Sequence, residues 1–244
     1  MQTDTPLLYN HLAQYYDSLF WWKDYEKESR MLKRLIDRHK ISKGRRLLDV
    51  ACGTGSHLFY LQNEFCCTGI DQSKEMLAIS SKKVSNATFK QGEMSSFKLP
   101  RKFDVLLCLF NSINYAKTFS KLEKTIENFT RHIFLGGVAI IEPWLSDTTF
   151  KDGAVHSIFY NKPECKIASV SITKKKKLYF TNEIHYLIGE SERNVRYFKE
   201  NHRMCLIEFK DLYKSLECYF DVHYYQRGIS RNPLFVCIKR DRNL

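Results

Sequence analysis

The run RRLLDVACGTGSHL, residues 45–58, constrains the fold more than any other stretch of the chain. Residues 45–50 read as a short strand, apolar enough to be buried on both faces as the strands of a parallel sheet are. The strand carries an acid, Asp49, near its end. The chain then turns through Gly53 and Gly55 into a helix predicted over 56–64. Glycine at those two positions lets the backbone bend tightly and approach a ligand with no Cβ in the way. Free N–H groups at the start of the helix face the same space.

The alternation continues downstream. Residues 66–70, 87–90, 103–110 and 137–141 read as further strands, with helices over 73–84, capped by Ser73, and 120–132. Residues 15–40 read as one helix ahead of the first strand. This pattern predicts an α/β fold around a doubly wound, Rossmann-like sheet. After Pro143 the texture changes to four strand-like segments, 155–160, 166–173, 178–188 and 195–207, joined by short polar turns. That is the signature of an inserted antiparallel β sub-domain. The expected organisation is N-terminal helices and a cofactor-binding core over 1–144, the insert over 145–207, and a helix (209–218) with two last strands (222–226, 234–238) completing the core over 208–244. The insert should project from the carboxyl ends of the parallel strands, where such sheets bind ligands.

The loop is not that of an NAD site. GxGxxG is missing, because Leu58 stands where a third glycine belongs. An acid just before the glycines would repel a pyrophosphate and suits a cation. S-adenosylmethionine, with an amino group and a sulfonium, fits that requirement. Asp71 ends the second strand 22 residues after Asp49, where dinucleotide folds place an acid on the ribose hydroxyls. Taken alone it could equally cap the helix that follows. Glu93, just past the third strand, is placed for the adenine end, although alone it reads equally as a surface turn residue. Acids and glycines at consecutive strand ends make S-adenosylmethionine the expected cofactor.

Composition narrows the partners. A net charge of +12 invites an anionic partner, but most of it is diffuse. The one dense run, 174–177, lies between two strand-like segments and reads as a solvated hairpin tip. No nucleic-acid-binding motif accompanies it, so a nucleic-acid partner is not expected. No apolar run approaches the ~20 residues that span a bilayer. The first residues lack a basic region followed by an apolar one. No membrane partner and a cytoplasmic location are expected. The eight cysteines form no CxxC pair and no Cys/His cluster at zinc spacing, which predicts reduced thiols and no metal.

The segments DVACGTGSH, GID and GEM resemble motifs of class I methyltransferases. Carried over those segments, the cofactor set is Asp49, Ala51, Cys52, Gly53, Gly55 and His57 on the loop, then Asp71, Gln72 and Met76, then Glu93 and Met94, with Leu109 at the fourth strand. Three longer stretches are similar to the sugar-nucleotide N,N-dimethyltransferases of macrolide biosynthesis, which methylate the 3-amino group of a dTDP-linked deoxysugar. These are YYDSLFWWKDYEKE (15–28), CLFNSINY (108–115), and a stretch beginning IIEPWLSDTTF (140–150) and running through the insert to the last strand. The resemblance implies Tyr16 and Tyr25 near the cofactor and Tyr9 near the acceptor amine. It implies Trp144, His202, Asn111 and Ser112 around the acceptor, and a β platform through which two copies dimerise. Two positions depart from the family: Tyr115 stands where His is common, with Asn114 where glycine would be, and the SRNP run displaces Arg231 by one residue.

Methyl transfer to nitrogen needs a neutral amine, so an alkyl ammonium must lose its proton before attack. Tyr9, Tyr115 and His202 are the candidate proton acceptors, and Arg203, Arg227 and Arg231 the candidate contacts for an acceptor diphosphate. The expected function is N-methylation of a nucleotide-linked amino sugar. The alternatives are another small amine or RNA, and a binding module without turnover. The run NSIN after the fourth strand lacks the NPPY-like pattern of adenine-N6 chemistry.

Overall fold

The computed structural model describes residues 6–144, 146, 149–177, 179–191, 193–230 and 232–241. Eleven strands and six α-helices appear among them. The parallel strands are β1 (Arg46–Val50), β2 (Cys66–Asp71), β3 (Ala87–Gln91), β4 (Phe103–Cys108) and β5 (Ile133–Ile141). Two antiparallel strands, β10 (Phe220–Tyr225) and β11 (Leu234–Lys239), complete a seven-stranded sheet in the order β10-β11-β5-β4-β1-β2-β3. The strand order reverses between β1 and β4, which puts the binding crevice at their carboxyl ends. All six residues of β4 are buried, as a strand covered on both faces must be.

Helices α3 (Ser56–Leu61), α4 (Lys74–Lys83) and α5 (Phe119–His132) connect the parallel strands, and α6 (Phe209–Glu217) precedes β10. The Ser73 cap is formed as predicted: its Oγ accepts from the Met76 N–H at 3.0 Å. Two separate cores cover the faces of the sheet, one around Leu48, Leu106 and Phe129, the other around Leu47, Leu107 and Ile36.

The insert is a four-stranded antiparallel sheet of β6 (Val155–Asn161), β7 (Cys165–Lys176), β8 (Tyr179–Glu190) and β9 (Arg196–Cys205). Residues 174–177 are exposed at its β7–β8 turn, with Lys177 at φ 54°. One face of this sheet packs on the N-terminal segment, where Leu8, Leu12, Tyr15 and Leu19 bury Ile167, Tyr186 and Ile188.

The segment ahead of β1 differs from the single helix its periodicity predicts. Two 3-10 turns (Leu7–Tyr9 and Ala13–Tyr15) and α1 (Tyr16–Leu19) end at Phe20, and α2 (Tyr25–His39) starts afresh. Asp24 restarts it, accepting from the Lys27 N–H at 2.9 Å. β5 also begins four residues earlier than predicted, because Gly136 adopts φ 71° and lets the strand run through an irregular register opposite Phe103.

Candidate active site

The loop after β1 is built as its glycines require. Gly53 and Gly55 have φ of 54° and 75°, a region side chains rarely enter. Ala51 also sits at φ 60°. Nothing lies within 4 Å of where a Gly53 Cβ would begin, so this backbone faces open space. Gly55 instead packs on Ser80 and Val84 and seats α3 against α4.

That open space is a cavity of about 560 Å³ at the carboxyl ends of β1, β2 and β4, within the range of small-ligand sites. Asp49, Ala51, Cys52, Gly53, His57, Asp71, Gln72, Glu93, Met94 and Leu109 line it, joined by Tyr16 and Tyr25 from the N-terminal segment and by Tyr9, Ser112, Tyr115 and Arg203. Six of the other seven candidates lie elsewhere. Gly55 and the buried side chain of Met76 stay beneath the loop. Asn111 turns to Asn232. Trp144 packs on Phe180 with ring centroids 5.5 Å apart. His202 is buried behind Tyr115, and Arg231 lies outside the described residues. Arg227 is exposed and does not line the cavity.

The acids differ in their surroundings. Burial, and then the charge of Asp71, push the Asp49 carboxyl up to about 8. No described residue donates a hydrogen bond to it. Asp71 braces the loop: its two oxygens accept from the N–H groups of Gly53 and Ser73, each at 2.9 Å. Burial raises its pKa against those bonds. It therefore braces the turn that leads into the Ser73 cap and lines the cavity at once, keeping free lone pairs for ribose hydroxyls. Glu93 is held by Ser95 and by Lys121 at 3.3 Å. Burial favours its neutral form, but those partners outweigh this and lower its pKa.

His57 is held from behind. Its Nε2 lies 2.8 Å from Glu28, which in turn accepts from the buried Lys23 at 2.5 Å. Burial above all pushes the imidazole down, with Lys23 adding to it against the pull of Glu28. Tyr25 stands edge-on to this ring at 4.9 Å.

Sequence reasoning missed the lysines of the cavity wall. Lys117 and Lys121 line it alongside Arg203 and Asn201, and Arg203 stacks on Tyr179 with its guanidinium carbon 3.9 Å from the ring centre. The lysines follow Tyr115 within six residues, which was their only signal. Among the described residues no cluster of His, Cys, Asp or Glu could hold a metal ion. No helix among them is long and apolar enough to cross a membrane.

The glycine loop over an open cavity and the unpaired Asp49 fit S-adenosylmethionine, whose ammonium would meet that carboxylate. Fold and site together define a class I methyltransferase that uses this cofactor. Residues 47–137 match the methyltransferase domain family. Over 218 residues the chain is 33% identical to the dTDP-3-amino-3,4,6-trideoxy-alpha-D-glucopyranose N,N-dimethyltransferase of Streptomyces venezuelae, covering 88% of this chain and 91% of the relative. The crystal structure of Streptomyces venezuelae DesVI superposes with a TM-score of 0.87 at 32% identity, over 93% of this chain and 98% of that one. The sugar N-methyltransferase KedS8 from Streptoalloteichus matches with a TM-score of 0.83 at 31% identity, over 93% of each chain. The chain belongs to the S-adenosylmethionine-dependent sugar N,N-dimethyltransferase family.

Proposed function

We propose that this enzyme dimethylates the amino group of a nucleotide-linked deoxysugar. The observation that carries the reading is the polarity of one cavity. Two of its acids, Asp49 and Asp71, are buried. Lys117 and Arg203 line the same cavity, as do Tyr9 and Tyr115. A cationic cofactor suits the acids and a diphosphate suits the two basic side chains. The names of the relatives point to the same class of acceptor.

The bound cofactor supplies an activated methyl group on a sulfonium. The chain has to align an amine with it, and such alignment can contribute up to ~7–11 kcal/mol. Asp49, Asp71 and the Gly53 backbone hold the cofactor, with Glu93 toward the adenine. Tyr9 and Tyr115 orient the amine, and the N-terminal segment that carries Tyr9, Tyr16 and Tyr25 excludes water from it.

Two finer readings accompany this one. The enzyme acts as a homodimer through the outer face of the insert. There Phe159, Ala168, Leu187 and Tyr197 form one cross-strand row, with Phe159, Leu187 and Tyr197 each more than half exposed, and exposed apolar patches of this kind mark interfaces. It works in the cytoplasm, where its eight free thiols stay reduced.

The test is calorimetric titration of S-adenosylhomocysteine, then of a dTDP-linked 3-amino-deoxysugar into the same cell. Binding of both, with the sugar nucleotide tighter at low salt, supports the reading. Binding of S-adenosylhomocysteine alone sends the acceptor to another class of amine.

A further inference from the structure

Four polar side chains lead away from the acceptor space in a line. Tyr9 Oη lies 2.8 Å from Tyr115 Oη, and Tyr115 Oη lies 2.5 Å from His202 Nδ1. His202 Nε2 is in turn 3.1 Å from Glu200 Oε1. The tyrosines line the cavity, whereas His202 and Glu200 are buried behind them, 3% and 7% exposed. Glu200 and His202 stand two residues apart on β9 and so share its inner face.

Glu200 is fixed from two further sides. Its Oε1 accepts from the Tyr186 hydroxyl at 2.7 Å and its Oε2 from the Leu8 N–H at 3.2 Å. Burial favours its neutral form, yet His202, Tyr186 and the Leu8 N–H together lower its pKa. His202 Nε2 is buried and has no aligned hydrogen bond, so the adjacent carboxylate is the group its N–H can turn to. Burial, above all, raises both tyrosines. Neither serves as a phenolate base, and His202 Nδ1 is the nitrogen at the end of the line. The other groups facing it are Tyr16 and Asp71, beside Tyr9, and Asn182, across from His202 on β8.

We propose that Glu200 is a positioning residue for methyl transfer, holding His202 as the Nε2–H tautomer so that Nδ1 receives the acceptor ammonium's proton through the Tyr115 and Tyr9 hydroxyls. This rests on the N-methyltransferase reading above. An ammonium N–H bond breaks and its proton joins Tyr9 Oη. The Tyr9 proton passes to Tyr115, and the Tyr115 proton to Nδ1. The nitrogen keeps the electron pair that attacks the methyl carbon. His202 becomes an imidazolium against the Glu200 carboxylate, and both tyrosines end neutral. In the opposite tautomer Nδ1–H would donate to Tyr115, the chain of donors would reverse, and Tyr9 would offer the amine a proton instead of a lone pair.

The test is Glu200→Gln, whose amide can donate to Nε2 and select the opposite tautomer. The pH profiles of kcat and kcat/KM are read with a dTDP-linked 3-amino-deoxysugar, with S-adenosylhomocysteine affinity as the control for folding. The expected result is a loss of about 10²-fold at pH 7 that shrinks as the pH rises and the ammonium ionises unaided, with the control unchanged. An unmoved profile, or the same loss at every pH, overturns the proposal. Should Glu200→Gln fail to fold, Tyr115→Phe severs the middle link and should show the same pH-dependent loss, with folding read by Tm in place of S-adenosylhomocysteine affinity. Nitrogen-15 spectra of His202 need no acceptor: the wild type should show Nε2–H at neutral pH, and Nδ1–H there overturns the relay. A wild type that methylates no nucleotide amino sugar overturns the functional reading alone.

Discussion

Asp49→Asn should stabilise the empty protein while weakening its grip on the cofactor. Burial and Asp71 carry the Asp49 carboxyl from an ordinary 3.8 to about 8. The folded state therefore binds this proton more tightly than the unfolded chain does. Stability from this group is greatest below pH 3.8 and is lost as the pH rises toward 8. At pH 7 some three units of that gap are in play, at ~1.36 kcal/mol each, so the ionisable carboxyl costs about 4 kcal/mol. Asparagine removes that cost but buries an amide without a partner, which costs ~1–3 kcal/mol. The net gain is about 2 kcal/mol, or roughly 4–8 °C in Tm for a chain of this size. Binding should move the other way. Loss of a charge-assisted hydrogen bond of ~1.5–3 kcal/mol weakens S-adenosylhomocysteine roughly 10- to 150-fold. In the wild type, affinity should rise with pH between 6 and 8, because the carboxyl must give up its proton to meet the ligand's ammonium. In the variant this slope should vanish. Calorimetry in two buffers of different ionisation enthalpy reads the released proton directly. An unchanged Tm, together with a wild-type affinity that is flat in pH, would refute the reasoning.

The two loop glycines should fail in different ways. Gly55→Ala puts a Cβ 3.0 Å from Ser80 Cβ at φ 75°, and should cost about 2 kcal/mol in urea unfolding, from left-handed strain plus the clash. Gly53→Ala meets nothing within 4 Å, so its larger effect should be on S-adenosylhomocysteine affinity, read by calorimetry. Lys117→Glu should raise the KM for the sugar nucleotide about tenfold, one lost charged contact being worth ~1.5 kcal/mol, and leave cofactor affinity unchanged. Leu187→Glu, in the middle of the apolar row on the insert, should shift sedimentation from dimer to monomer without lowering Tm by more than ~0.5 kcal/mol equivalent.

The cofactor half of the site was legible because its determinants are local. Asp49, Gly53 and Gly55 fall within seven consecutive residues, and the Asp71–Ser73 turn needs only its own neighbours to form. The α2 start was not legible, because the apolar spacing of residues 19–36 continues across Phe20 to Asp24 and masks the Asp24 cap. The acceptor half depends on tertiary placement. Tyr9, Tyr115 and His202 meet only once the insert folds back on the N-terminal segment. Glu200 carried no signal beyond sharing the parity of His202 along a strand. Trp144, a motif match, packs on Phe180 and not on the cavity.

The order of strands has a consequence for how this chain is made. Among the described residues β11 is the last element, yet it sits between β5 and β10 and is the only strand there hydrogen-bonded to β10. Until it emerges, the β5 backbone is an open edge, although the cofactor loop and the whole insert have already been synthesised. Such late, non-local pairing is slow, and an open apolar edge invites association with other chains. Stopping the chain before Leu234 would therefore orphan two strands at once and leave an intact glycine loop on an aggregating protein.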